Sequence, residues 1–314
     1  MKILRSINEL TGINRPIHWA MGVFDGLHTG HHAVIGSAVN EARKCGDLAG
    51  VLTFDTHPLT TIRPEAAPRR IFSGEREKMA FLEQLGIDIV LSLPFNAALA
   101  SMSAREFLDS LQSAGNLAGI SVGCDWKFGH DRSGDVDFLR VRAEQDGFSI
   151  CPIPPVERDG CRVSSTEIRH KITSGDLNAA SRLLGRPYTL SGPVIHGREL
   201  ARTLGVPTAN IRPGNEVLPP FGVYAVRTIL PDKQNPVPSI ANLGQRPTVE
   251  QPGTGEILLE VHLFDWQGDL YGQELTVECI AFLRPEKRFP SVNALRAQIG
   301  ADCQKARKIL AEND

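Results

Sequence analysis

The sequence predicts two domains: an α/β domain built on a parallel sheet, then a small antiparallel β-barrel domain with a C-terminal helix. Three observations predict this. Short apolar runs alternate with stretches of helical period up to about residue 184, as in a parallel sheet whose crossovers are helices. Beyond that point Gly and Pro punctuate short strands, the texture of an antiparallel sheet or small closed barrel. The length, 314 residues, is enough for two cores of ordinary size. The expected division is 1–184 and 185–314, close to Arg186-Pro187.

In the first domain, residues 17–24 read as a strand and 33–42 as a helix, because Val34, Ala38 and Ala42 recur at helical spacing. Residues 48–54 are strand-like, 75–85 helical, and 87–93 an apolar strand. Ser103-Ala104-Arg105-Glu106 has the capping-box form and opens a helix to about Leu111. A short strand over 119–124 follows. In the second domain, strands are expected over 188–195, 222–230, 257–264 and 275–283. Ser291 can cap a closing helix whose Leu295, Ile299, Cys303, Ala306 and Leu310 share one apolar face.

Composition narrows the class without naming a chemistry. There are 34 Lys and Arg against 36 Asp and Glu, so no basic excess marks a nucleic-acid partner. No apolar run approaches the ~20 residues of a membrane span, and Met1-Lys2-Ile3-Leu4-Arg5 reaches charge too soon for a signal-peptide core. Cys45, Cys124, Cys151, Cys161, Cys279 and Cys303 are scattered without a Cys-x-x-Cys pair, which reads as reduced structural thiols. The expectation is a cytoplasmic protein with no nucleic-acid or membrane partner and a weak homo-oligomer among its possible states. Neither G-x-x-x-x-G-K-[ST] nor G-x-G-x-x-G occurs, so a P-loop NTPase or dinucleotide oxidoreductase finds no support.

The most informative stretch is Gly22-Val23-Phe24-Asp25-Gly26-Leu27-His28-Thr29-Gly30-His31. It leaves the first strand and enters the first helix, where a parallel sheet binds ligands and free helix N–H groups favour phosphate. Gly26 and Gly30 let backbone approach closely. His28 and His31 can both turn to one ligand and donate hydrogen bonds to charge developing on a triphosphate. A zinc pair or two surface histidines are the plain alternatives, but no further Cys or His stands nearby at ligand spacing.

This segment matches the G-x-F-D-x-x-H-x-G-H signature of the nucleotidyltransferase superfamily. Thr53-Phe54-Asp55-Thr56-His57-Pro58, Val122-Gly123-Cys124-Asp125-Trp126-Lys127-Phe128-Gly129 with Gly134-Asp135, and Ser164-Ser165-Thr166-Glu167-Ile168-Arg169 match one branch of it. The chain resembles the prokaryotic bifunctional riboflavin kinase/FMN adenylyltransferase (FAD synthetase) family over nearly its whole length. The resemblance implies a nucleotidyltransferase-type, Rossmann-like first domain that transfers AMP from ATP to FMN. On its own, Asp125 could be an ordinary turn residue, and Ser164 with Glu167 a plain helix cap. In the family the Ser/Thr–Arg element closes over the triphosphate. The resemblance therefore implies phosphate binding by Gly22, Phe24, Asp25, Gly30, Ser164, Ser165 and Thr166, charge screening by His28, His31 and Arg169, and flavin contacts from Asp125 and Trp126.

A second constellation is Arg202-Thr203-Leu204-Gly205-Val206-Pro207-Thr208-Ala209-Asn210, preceded by His196-Gly197. Thr208 and Asn210 are hard oxygen donors suited to Mg²⁺ on a nucleotide, with an ordinary turn the plain alternative. The stretch resembles the riboflavin kinase Pro-Thr-Ala-Asn pattern. It is joined by 221–225, by Asn242-Leu243-Gly244-Gln245-Arg246-Pro247-Thr248, by 269–272 and by 283–289. The resemblance implies nucleotide binding at Gly205 and Pro207 and flavin contacts at Asn242 and Arg284. It also implies that Glu260 is the general base on the ribityl 5′-hydroxyl. Period-two alternation sets Ile257, Leu259, Val261 and Leu263 on one strand face and Glu260 and His262 on the other. A carboxylate there is most often just solvated.

The whole implies riboflavin, FMN, FAD and ATP as substrates and products, Mg²⁺ as cofactor, and two transferase activities. Leu200-Ala201-Arg202 stands where the family commonly has Arg-Gly-Arg, so a single-activity FMN adenylyltransferase with a weakened kinase module is one alternative. A non-catalytic flavin-binding carrier or regulator is another.

Overall fold

The computed structural model describes residues 1–72, 74–197, 205–214, 217–231, 235–246 and 255–312. The chain divides into two compact units: Met1–Arg69 with Glu75–Ser164, and Arg70–Gly74 with Ser165–Asp314.

The first unit runs β1 (Lys2–Leu4), β2 (Ile17–Met21), α1 (Thr29–Cys45), β3 (Leu48–Phe54), α2 (Pro58–Ile62), α3 (Glu75–Gln84), β4 (Ile89–Leu93), α4 (Ala97–Ser101), α5 (Ala104–Ala114), β5 (Leu117–Gly123), α6 (Val136–Asp146), β6 (Ser149–Ile153) and a small hairpin, β7 (Glu157–Arg158) with β8 (Cys161–Arg162). Six strands form one sheet in the order β1-β4-β3-β2-β5-β6, every neighbouring pair parallel. Ile17, Trp19 and Met21 of β2 join the core cluster that Phe107, Leu108 and Leu111 of α5 and Val136 and Leu139 of α6 complete. Gly50 makes room there, since a Cβ would run into the Trp19 ring. The alternate residues His18 and Ala20 point to the other face, which α1 covers through Val34, Ile35, Ala38 and Ala42.

Helix α1 starts at Thr29, ahead of the first apolar repeat at Val34. Thr-Gly-His-His is a weak helix former, and the turn exists because the His28 side chain caps it by accepting from the His31 backbone N–H. Helix α6 hides its period because a core-facing position is Arg142, held by Asp109 and Asp146 at 2.6 and 2.7 Å.

The second unit runs α7 (Ser165–Ser174), α8 (Leu177–Leu184), β9 (Tyr188–Ile195), β10 (Ala209–Ile211), β11 (Gly222–Ile229), β12 (Val237–Arg246), β13 (Glu256–Leu263), β14 (Glu274–Pro285) and α9 (Val292–Glu312). The strands close a barrel in the order β10-β13-β12-β11-β14-β9, antiparallel throughout. Helix α8 packs on β9 and β14 and buries Leu177, Ala180, Leu183 and Leu184. The change of architecture expected at 184/185 thus follows two helices that are compact with the barrel. The Tyr188 hydroxyl donates to the Val217 carbonyl at 2.6 Å, and the Val217 N–H donates to the Arg70 carbonyl, which ties the 70–74 segment to the same unit. Ser291 caps α9 as its sequence suggests, its hydroxyl accepting from the Ala294 N–H.

Candidate active sites

In the first unit, β2 is flanked by β3 on one side and β5 on the other, so the direction of strand progression reverses beside it. Such a switch point opens a crevice at the carboxyl ends of the strands. The Gly22–His31 segment leaves β2 at that place. Its backbone is bent through left-handed conformations at Phe24 (φ 52°), Gly26 (φ 83°) and Leu27 (φ 40°). For the two L-residues this costs of order 1–3 kcal/mol each. Both side chains are fully buried, at 2% and 0% exposure, and burial of that size contributes about 1.5–3 kcal/mol each, enough to hold the bend.

His28 and His31 lie stacked, ring centroids 3.5 Å apart, with the Phe24 ring edge-on to His31 at 5.2 Å. Because the His31 N–H can only donate, His28 Nδ1 must be the acceptor, and the proton of a neutral His28 is then on Nε2. His31 is driven well below its ordinary pKa, first by burial and then by the charges of His28, Lys78 and His32. It is therefore neutral at pH 7 in the free protein, and among the described residues its buried Nδ1 has no hydrogen-bond partner.

Lys78 of α3 is the residue here that sequence reasoning missed. Its Nζ donates to the Val23 carbonyl at 2.8 Å and to Thr53 Oγ1 at 2.7 Å. Thr53 Oγ1 in turn donates to Val23 at 2.9 Å. An ammonium thus braces the start of the bent loop against the end of β3. Burial pushes its pKa down to about 8, with Asp25 and then Glu75 opposing the fall. Nothing in the local pattern marks it, since a Lys on an amphipathic helix normally reads as a solvated face residue.

The other expected residues of this domain take varied positions. Asp125 follows β5 and pairs with the Arg162 guanidinium, both more than half exposed, a pair worth at most about 1 kcal/mol. Trp126 stacks on Phe128, centroids 4.5 Å apart. Asp55 accepts from the Phe95 N–H, and His57 caps α2. Ser164 ends the first unit, while Ser165, Thr166 and Arg169 form the first turns of α7 in the second. Glu167, expected to complete a cap, lies 3.5 Å from Lys171.

The barrel aligns its expected residues by register. On β13, Glu260 is paired directly with Asn210 of β10 on one side and Asn242 of β12 on the other. Residues opposite each other in an antiparallel ladder share a face with Cβ atoms about 5 Å apart, so the three form one row. Asn210 is buried against Gly197, where any Cβ would collide with its amide group. Asn242 Nδ2 donates to Glu286 Oε1 at 3.1 Å. Pro207, Thr208 and Asn210 line a cavity of about 470 Å³, which Trp266, Asp269 and Tyr271 help to enclose. Tyr271 stacks on His196 at 3.9 Å. His262 Nδ1–H donates to the Pro207 carbonyl at 2.8 Å and so steadies the same loop. Gly205 has φ 82°, a left-handed turn into that loop. Arg284 lies farther along the sheet, paired with Val223, and its guanidinium is gripped by the buried Asp302 of α9 at 2.8–2.9 Å. Leu200, Ala201, Arg202, Pro247 and Thr248 lie outside the described residues.

Comparison with known proteins agrees with both constellations. The FAD synthetase family model matches residues 11–167 and the riboflavin kinase model residues 184–310. A bifunctional riboflavin kinase/FMN adenylyltransferase of Pseudomonas fluorescens is 41% identical over 312 residues, covering 99% of this chain and 98% of the relative. This chain belongs to the bifunctional riboflavin kinase/FMN adenylyltransferase family. The Escherichia coli K12 member of the family is 37% identical over 310 residues, covering 98% of this chain and 97% of its own. A solved structure from Streptococcus pneumoniae, described as a macrolide-efflux protein, superposes with a TM-score of 0.85 at 29% identity, over 97% of this chain and 98% of that one. Among the described residues no helix is long and apolar enough to cross a membrane. Two features around these sites go unread in sequence: Lys78 and the 197/210 contact. The first gives no local signal; the second is signalled only by Gly197 beside His196.

Proposed function

We propose that the chain phosphorylates riboflavin to FMN on its barrel domain, 185–314, and adenylylates FMN to FAD on its α/β domain, 1–184, consuming ATP in each step. The observation that carries the reading is the Asn210–Glu260–Asn242 row beside the cavity, occurring in a chain that also presents a buried His28–His31 pair at a helix N-terminus.

In the kinase step an alcohol attacks, so a proton must leave as the O–P bond forms. Glu260 accepts the proton of the ribityl 5′-hydroxyl, that oxygen bonds to the γ-phosphorus, and ADP leaves. Asn242 orients the flavin side of the row and Asn210 the nucleotide side. Thr208, just before β10, and Asn210 within it offer hydroxyl and amide oxygens at the cavity wall. That donor set fits Mg²⁺, which would neutralise charge on the nucleotide phosphates. Gly205 and Pro207 shape the loop, and Arg284, held by Asp302, closes the flavin end.

In the adenylyl step the nucleophile is the FMN phosphate, already anionic, so positioning and electrostatics suffice and no base is needed. Its oxygen bonds to the α-phosphorus of ATP and pyrophosphate leaves. His28 Nε2–H and His31 donate to the phosphates. Gly22, Phe24, Asp25 and Gly30 set the loop, Ser164, Ser165, Thr166 and Arg169 supply further donors, and Asp125 and Trp126 contact the flavin. Lys78 is a positioning residue beneath the loop. The balanced charge and scattered thiols support work in the cytoplasm on small flavins, without nucleic acid or membrane.

Purified protein incubated with riboflavin, ATP and Mg²⁺ should form FMN and then FAD, resolved over time by chromatography. Glu260→Gln should stop the first product while supplied FMN is still converted to FAD. Unchanged FMN formation by that variant would remove Glu260 from the reaction.

A further inference from the structure

A separate cluster lies at the amino ends of β2 and β3, the opposite end of the sheet from the Gly22–His31 loop. Helix α1 ends at Cys45, Gly46 turns the chain in the left-handed conformation (φ 75°), and Asp47 precedes β3 with its N–H bonded to the Ala42 carbonyl at 2.8 Å. Cys45 and Asp47 therefore flank a fixed turn. His18, the second residue of β2, points to the α1 side of the sheet and is 6% exposed. Its ring is seated over Gly119, where a Cβ would come within 2.7 Å of Nδ1. Nε2–H donates to Asp47 Oδ2 at 3.1 Å.

We propose that His18, Cys45 and Asp47 form a binding site for a divalent transition metal of the zinc class, independent of the two flavin sites. A ring nitrogen, the thiol sulfur and a carboxylate oxygen all lie within 4.8 Å of one another. Metal bonds of ~2.0 Å to N and O and ~2.3 Å to S, at tetrahedral angles, require ligand atoms roughly 3.3–3.8 Å apart. To reach that spacing the ligand atoms have to draw together by at most about 1.5 Å. Among the described residues no other group of His, Cys, Asp and Glu comes together in this way.

The donor set decides the class of ion. Imidazole with thiolate and one carboxylate suits a borderline cation and not Mg²⁺ or Ca²⁺, which take oxygen. The cluster also opens on one side: His18, Cys45 and Asp47 line a surface cavity of about 720 Å³ that Glu41 also borders. Glu41 is one helical turn before Cys45 and is paired with Lys44 at 2.7 Å. The fourth position would thus be taken by water or by Glu41 after it leaves Lys44. Binding displaces the thiol proton, while the His18 proton passes from Nε2 to Nδ1, so affinity rises with pH. The simpler reading is a His–Asp hydrogen bond with an unconnected thiol beside it, and the two readings part in one titration.

The full chain, kept reduced with a phosphine, is titrated with Co²⁺. One equivalent should develop a thiolate-to-cobalt charge-transfer band, and Zn²⁺ should abolish it by displacement. Cys45→Ser should lose the band while both flavin reactions run at the wild-type rate, which also shows that the variant folds. Asp47→Asn and His18→Gln should weaken Co²⁺ by ~10-fold or more, on the scale of losing an interaction that holds a metal. Zn²⁺ should raise the melting temperature of the parent and not of Cys45→Ser. A charge-transfer band that survives in Cys45→Ser, its absence from the parent, or parental affinity in Asp47→Asn would each overturn the site.

Discussion

Replacing Lys78 by Met should leave the protein about as stable as the parent at pH 7 and yet slow FAD formation. Burial lowers the Lys78 pKa from 10.5 to about 8. That difference corresponds to about 3 kcal/mol by which the folded state disfavours the charge. The proton is held less tightly in the folded chain, so between pH 8 and 10.5 the unfolded chain binds more protons and stability rises with pH. Below pH 8 the whole penalty is present. Met removes it and forfeits the two bonds from Nζ, worth together about 3 kcal/mol at the low end of values for charged donors. The Val23 carbonyl is not orphaned, because Thr53 Oγ1 still donates to it. The two nearly cancel, so stability at pH 7 should change by no more than about 1–2 kcal/mol. The parent should then gain on the variant by about 2 kcal/mol between pH 7.5 and 9.5. Urea unfolding in a Trp266→Phe background, with Trp19 and Trp126 reporting on the first unit, measures both values. FAD formation from supplied FMN should fall ~10-fold or more, since a loop misplaced by an ångström costs up to ~10²-fold. The parent rate should also decline above pH 8, a limb absent from Lys78→Met. A variant destabilised by more than ~2 kcal/mol at pH 7, a stability difference flat in pH, or FAD formation at the parental rate would refute the reasoning.

Glu260→Gln should lower kinase kcat by ~10²-fold or more with little change in riboflavin KM, measured as FMN formation. His28→Ala should slow FAD formation by ~10²-fold, on the scale of losing one charge-stabilising donor, with FMN formation untouched; equal losses in both would indicate misfolding. His31 resists protonation in the folded chain, so stability should fall as pH drops below 6.5, where only the unfolded chain takes up the proton, and His31→Leu should remove that dependence in pH-resolved melting. Gly197→Ala drives a methyl into the Asn210 amide and should depress kinase turnover while leaving supplied FMN to be adenylylated normally.

The parts of this fold that were readable in sequence are those where local pattern and tertiary environment ask for the same residues. Strands β3 and β9 were legible to the residue, β3 because its apolar run is buried almost throughout, β9 because Tyr188, Leu190, Val194 and Ile195 bracket it between the Arg186-Pro187 break and His196-Gly197. The Gly22–His31 loop was legible because its glycines and histidines form a motif that needs no period to be read. What could not be read was register. Alternation placed Glu260 and His262 on one face, and burial bears this out: both keep some exposure while Leu259, Val261 and Leu263 are buried. That Asn210 and Asn242 flank Glu260 depends on β10, only three residues long, and on β12, whose Pro238 and Gly244 blur its strand signal.

Buried charge was the second obstacle, and it concentrates where the structure does something specific. Arg142 occupies a core position of α6, Lys78 turns its ammonium inward from α3, and Asp302 takes a place on the apolar face of α9. Each looks, in sequence, like an interruption of the helical period or a solvated residue. Each is instead held by partners from distant chain: Asp109 for Arg142, Val23 and Thr53 for Lys78, Arg284 for Asp302. A buried charge is tolerable only when such partners are in place, and they come from elements between 18 and 55 residues away. Two of the three pin elements that carry expected site residues, the bent Gly22–His31 loop and the strand end at Arg284, so the breaks in hydrophobic pattern mark supports of the candidate sites as much as the motifs mark those sites.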